Sequence, residues 1–240
     1  MKMRLDAALG KAGIASRRKA ARLIESRHVK INGNVVNEKG FHINISEDRI
    51  TLDDKPVFFE NKKSYYVLNK PAGVISTAGD ERDRKKVTDY ISEKELRLYP
   101  VGRLDKDTTG LIILTNDGDL TYRLTHPRFR VDRVYEVTVK GRVKSESALR
   151  LKDGIVIDGR SVMAEKIVFK KSSPRRTVLI VTMREGIKRE VRRMFKAVGH
   201  DVVGLKRIAY GSLRLKGLKE GEIRPLTKDE IEKLKGCVGL

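Results

Sequence analysis

The sequence has a single cysteine, Cys237, and no tryptophan. One thiol excludes a disulfide framework and a cysteine-built zinc site within the chain. The four histidines, His28, His42, His126 and His200, show no ligand spacing, so no metal site is expected. No apolar run approaches the length of a membrane-spanning helix, and the N-terminus lacks the apolar core of a signal peptide. A soluble, cytoplasmic protein without a membrane partner is expected. Acidic residues are also short: 32 Asp and Glu face 53 Lys and Arg, leaving a formal net charge of +21. Such a field draws in polyanions. Nucleic acid is the first candidate, because neutralising phosphates releases condensed counterions. An anionic membrane surface fits less well, because no basic amphipathic segment carries aromatic anchors.

The 240 residues suggest one or two domains. Leu5, Ala8, Leu9 and Ala12 follow helical spacing up to Gly13. Ser16 is placed to cap a second helix carrying Ala20, Leu23 and Ile24 inward. Val29–Ile31 and Val35–Val36 flank a turn at Asn32-Gly33-Asn34. The polar run 60–64 is the expected linker, giving domains 1–60 and 61–240. Arg17, Arg18 and Lys19 occupy the first turn of the second helix, where the dipole disfavours cations. Free N–H groups with added arginines make a phosphate site there. The whole unit, with Gly13–Ala20 and Val29–Val35 as its signature, resembles an S4 domain, a small RNA-binding module. The resemblance implies an RNA-binding mode, and Arg4, Ser16, Arg17, Arg18, Lys19, Lys30 and Asn32 are the expected RNA contacts in this unit.

The rest reads as α+β, a mixed and mainly antiparallel sheet with helices. Tyr65–Leu68 and Leu111–Leu114 are short apolar runs suited to buried strands. Tyr135–Lys140 alternates as a half-buried strand. Residues 162–170 and 177–182 are expected to pair as a hairpin around 171–176. Val191, Met194, Phe195 and Val198 predict a helix ending at Gly199, with Arg189, Arg193 and Lys196 opposite its apolar stripe. Thr227 and Glu230 form a capping box, flanked by Leu226 and Ile231 as a hydrophobic staple.

The richest chemistry lies in Val101–Leu120. A Gly-containing loop bearing Asp105 and Asp107 precedes the apolar strand, and a turn bearing Asp117 and Asp119 follows it. Composition alone leaves three readings open, solvated turns, a glycosidase-like carboxylate pair or a metal-dependent nuclease, and a fourth comes from resemblance. Gly102-Arg103-Leu104-Asp105, then Thr109-Gly110-Leu111 and Asn116–Leu120, resembles the catalytic motif of pseudouridine synthases. Leu68–Val74 and Arg184–Phe195 are similar to two further motifs of that family. With an S4 domain in front, the chain resembles the bacterial ribosomal RNA enzymes of the RsuA/RluB/RluE/RluF type, closest to the RluB branch, which acts on large-subunit rRNA. A small-subunit (16S) enzyme, or a non-catalytic S4-type assembly protein, is the alternative.

The resemblance implies Asp105 as the catalytic carboxylate and Arg192 as its basic partner. It implies Tyr135 as the ring stacked on uracil, and Arg103 as the side chain filling the space that a flipped nucleotide vacates. Lys70, Arg189 and Arg193 are expected to contact RNA. No cofactor is implied, and the expected partner is ribosomal RNA, free or in an assembly intermediate, bound by a monomer.

Overall fold

The computed structural model describes residues 2–59, 63–92 and 97–240. The chain divides into two compact units. The first holds the described residues up to Lys63 together with Arg97, and the second holds 64–92 and 98–240. Residues 60–62 of the expected linker lie outside the described residues. Among those described, no helix is long and apolar enough to cross a membrane.

In the first unit, β1 (Lys2–Arg4) runs into α1 (Leu5–Lys11) and then α2 (Arg17–Glu25). Leu5, Ala8, Leu9, Ala20 and Ile24 are buried, as their spacing requires. The Ser16 hydroxyl caps α2, accepting from the Lys19 N–H at 3.3 Å. β2 (Val29–Ile31) and β3 (Asn34–Val36) are joined by Asn32 and Gly33, with φ of 51° and 86°. Two consecutive positive φ values make the two-residue turn that matches strand twist. β4 (His42–Asn44) pairs with β1, while β5 (Ile50–Leu52) and β6 (Lys55–Pro56) extend the sheet to β3-β2-β5-β6.

The second unit contains β7 (Tyr65–Lys70), β8 (Tyr99–Pro100), β9 (Thr109–Thr115), α3 (Gly118–Thr125), β10 (Arg133–Lys140), α4 (Ser145–Asp153), β11 (Ile155–Ile157), β12 (Arg160–Val162), β13 (Lys166–Ser172), β14 (Arg176–Met183), α5 (Glu190–Ala197), β15 (Val202–Tyr210), β16 (Leu213–Arg214), β17 (Ile223–Pro225) and α6 (Lys228–Gly236). Its main sheet runs β13-β14-β10-β15-β9-β7-β17, with β16 beside β15 and β8 beside β9. One core gathers Val137, Leu179, Val181, Met194 and Phe195, and a second gathers Val67, Leu111, Ile113, Leu120 and Leu234. The expected 162–170 strand is two pieces. Val162 belongs to a small hairpin with β11, and the Ala164 N–H turns to the Leu151 carbonyl before β13 begins. Apolar residues fill both pieces, Val162–Ala164 and Ile167–Phe169, and the polar pair Glu165-Lys166 between them is too short to mark a break by itself.

In the middle of this sheet β9 touches β15. Among the described residues this is the one parallel pairing in the main sheet, and it lasts two residues, Lys206 with Thr109 and Arg207 with Gly110. Beyond it β9 pairs with β8 instead, so the sheet splits. Gly110 has a φ of +102°, and a Cβ there would lie 2.2 Å from the Arg207 carbonyl oxygen. Only glycine permits both that φ and that approach.

Candidate active site

A cleft of about 660 Å³ opens at this split, lined by Arg103, Asp105, Arg133, Tyr135, Arg189, Glu190, Arg207 and Tyr210, among others. Its floor is the loop between β8 and β9, which the segment after β7 clamps. Ser76 Oγ accepts from the Leu104 N–H at 3.1 Å and donates to the Leu104 carbonyl at 2.9 Å. The Gly73 N–H donates to the Lys106 carbonyl at 2.8 Å. Asp105 therefore stands between two residues whose backbones are fixed. Lys70 joins the same clamp, its Nζ donating to Pro71 O at 2.8 Å and Lys106 O at 3.3 Å. Lys70 is fully buried, and burial pulls its ammonium down to about 8, against the opposing charges of Asp107, Glu220 and Asp105. The expectation that Lys70 contacts RNA is corrected accordingly, since a buried ammonium cannot reach a phosphate.

The structure separates four carboxylates that composition left equivalent. Asp117 caps α3, accepting from the Leu120 N–H at 3.3 Å, and takes the Tyr65 hydroxyl at 2.8 Å. Asp119 is exposed in the first turn of that helix. Asp107 binds Arg192 at 3.0 Å and Arg189 at 3.4 Å. Of the four, Asp105 alone lines the cleft.

Arg192 does not pair with Asp105 here. Its guanidinium holds Asp107 and donates to the Val202 carbonyl at 2.9 Å. The cation facing Asp105 is Arg189, at 3.9 Å. Arg189 is not on the helix face expected for it. It is the residue before α5, in the left-handed region at φ 54°, and this turns its side chain toward the Asp105 loop. Arg193 pairs with Asp158, off the cleft. Tyr135 lines the cleft, and Arg103 is exposed on its wall.

Sequence reasoning missed the three buried charged residues that line the cleft besides those expected. Arg133 is buried and donates to the carbonyls of Arg184 at 2.6 Å and Leu124 at 3.1 Å. Arg207, in register with Tyr135, is buried and donates through Nε to the Leu111 carbonyl at 2.7 Å, bracing β15 against β9. Its Nη2 is buried without a partner. Both arginines occupy inward positions of alternating strands, and that is the signal available in the sequence. The third is Glu190, buried at the start of α5.

Burial pushes the Glu190 carboxyl up to about 7, with Glu185 adding to the shift and Arg133 opposing it. The folded chain thus holds this proton more tightly than the unfolded chain. Stability from this group falls as pH rises from the ordinary glutamate range to about 7, and the penalty is complete above that. Glu190→Gln should therefore stabilise the protein by about 1–3 kcal/mol at pH 8 and do little at pH 4. Paired urea titrations at the two pH values check this, and equal shifts at both would refute it.

In the first unit, much of the expected RNA surface is engaged within the fold. Arg4 and Arg17 both bind Asp6, at 3.0 and 3.1 Å. Lys30 binds Asp54 at 2.6 Å. Asn32 donates to Asp48 at 2.9 Å and accepts from the Arg49 N–H at 2.9 Å. Ser16 is the helix cap. Arg18 and Lys19 are exposed and line one groove with Arg22 and His28.

Residues 64–197 match the family model of RNA pseudouridylate synthases, and residues 3–50 match that of S4 domains. A Bacillus subtilis protein named ribosomal large subunit pseudouridine synthase B is 42% identical over 97% of this chain and 95% of its own length. An Aquifex aeolicus protein described as an uncharacterised RNA pseudouridine synthase is 40% identical, covering 100% of this chain and 96% of its own. A crystal structure of a pseudouridylate synthase superposes with a TM-score of 0.69 at 32% identity, covering 97% of this chain and 99% of that one. An S4 domain followed by a catalytic unit built on a split mixed sheet defines an RNA-directed enzyme. The chain belongs to the RNA pseudouridylate synthase family.

Proposed function

We propose that the chain converts a specific uridine of large-subunit ribosomal RNA to pseudouridine, using Asp105. The observation that carries this reading is the placement of Asp105. It alone among the four candidate carboxylates faces the cleft, on a loop clamped on both sides. Similarity to the Bacillus protein supports the large-subunit substrate.

The reaction breaks N1–C1′, turns the uracil, and joins C5 to C1′. C5 loses a proton and N1 gains one, with no net redox change, so the chemistry asks for no cofactor. A carboxylate can add at C1′ or remove the C2′ proton, and both routes start from Asp105 beside the ribose. Tyr135 stacks on the detached base, Arg103 fills the vacated stack, and Arg189 with Asp107 and Arg192 sets the charge around the loop. The clamp supplies the preorganisation that such chemistry rewards. The proposal places the protein in the cytoplasm, acting as a monomer on rRNA or an assembly intermediate.

Mapping pseudouridines in ribosomal RNA from cells with and without the protein tests the reading. One large-subunit position should lose its modification when the protein is absent, and an unchanged map would refute the proposal. Binding is expected to draw on Arg18 and Lys19. Replacing both with alanine should lower the slope of log K against log salt by about 1.4–1.8, the loss of two phosphate contacts. An unchanged slope would remove them from the interface.

A further inference from the structure

The end of α3 and the turn after it carry an exposed cluster of rings that the catalytic reading does not use. Tyr122 is 48% exposed, and His126 and Arg128 are also at the surface. The Tyr122 and His126 rings lie 5.0 Å apart at 50°, and Phe129 meets both edge-on at 6.1 and 6.4 Å. Phe129 packs against the adjoining core and anchors the group. The Arg128 guanidinium sits 4.5 Å from the Phe129 centroid and 5.4 Å from that of Tyr122.

Two features indicate what such a surface would hold. The first is charge. Residues 121–130 contain three arginines and no acid, and among the described residues Arg128 has no carboxylate partner. The second is continuity with the cleft. Thr125, one turn beyond Tyr122, lines it, and the Leu124 carbonyl accepts from the cleft residues Arg133 and Tyr210. Rings and guanidinium planes at the surface are what unpaired bases stack on. When a target nucleotide is extruded, its neighbours lose stacking, and a platform beside the cleft can replace it.

We propose that Tyr122, His126 and Arg128 form a stacking platform for an unpaired nucleotide flanking the target in the substrate RNA. This rests on the RNA-modifying reading above and adds a second base site to it. The test uses the full chain and an in vitro transcript of unmodified large-subunit rRNA labelled with tritium at uridine C5. Affinity is read by filter binding in an Asp105→Asn background, which needs no turnover. Tyr122→Ala should weaken binding about tenfold, in the range expected for losing one base–aromatic stack, and Tyr122→Phe by less than about twofold. His126→Ala with Arg128→Ala should weaken it as much, which guards against a folding defect in any one variant. Unchanged affinity in both the alanine variant and the double variant would overturn the platform and favour a protein partner for that surface. An equal loss with Tyr122→Phe would overturn stacking as its basis. Tritium release by the wild-type chain reports catalysis separately. Its absence would refute the catalytic reading without touching the binding result.

Discussion

Asp105→Asn should abolish measurable pseudouridine formation, lowering the single-turnover rate by about 10²–10⁴-fold or more. The amide keeps the shape and much of the hydrogen bonding of the carboxylate, but it cannot add to C1′ or take a proton. The fold should be unaffected. Among the described residues Asp105 makes one long ion pair, 3.9 Å to an exposed arginine, and its loop is held by backbone contacts of Leu104 and Lys106. RNA affinity should also persist, since the contacts proposed for Arg18 and Lys19 lie in a separate groove and are untouched by the change. Tritium release from C5-labelled transcript measures the first expectation, and filter binding the second. A variant that still turns over at the wild-type rate would move the chemistry to another group. Asp107→Asn is the informative contrast. It should cost far less, because Asp107 positions Arg189 and Arg192 and does not line the cleft.

Gly110→Ala should be the most damaging single methyl in the protein. The added Cβ would sit 2.2 Å from Arg207 O, 2.7 Å from its N and 2.9 Å from its carbonyl carbon. All three are backbone atoms, so no rotamer change relieves the overlap. The φ of +102° adds strain for any L side chain. A cost above about 4 kcal/mol follows, in the range reserved for gross steric conflict. For a chain of this size the melting temperature should fall by more than about 8 °C. Calorimetry or a thermal melt followed by circular dichroism checks it. A shift within about 2 °C would mean that β9 and β15 can separate at little cost.

The elements that sequence reasoning located are those governed by local physics. The helices α1, α2 and α5, the buried strands β7 and β9, and the capping box at Thr227 and Glu230 each follow from spacing or a cap within a few residues. What stayed hidden depends on partners distant in sequence. Lys70 looked like a surface cation beside a proline, and its burial is set by the Lys106 carbonyl of another segment. Asp105 and Asp107 are two residues apart and chemically identical, so only the folded loop decides which one takes Arg192. Arg133 and Arg207 fall on the inward side of strands whose alternation was legible. A charged residue at such a position is easily passed over as an exception, yet here it marks the cleft.

The two-residue joint between β9 and β15 also sets an order of events during synthesis. It links Gly110 to Arg207, about a hundred positions later in the chain, and long-range pairings of this kind form late. The first unit draws almost entirely on the first 63 residues. A ribosome can therefore release a folded RNA-binding module well before it has made the strand that closes the cleft. Grip on RNA precedes the capacity to modify it, and chains truncated before Val202 should bind RNA without modifying it.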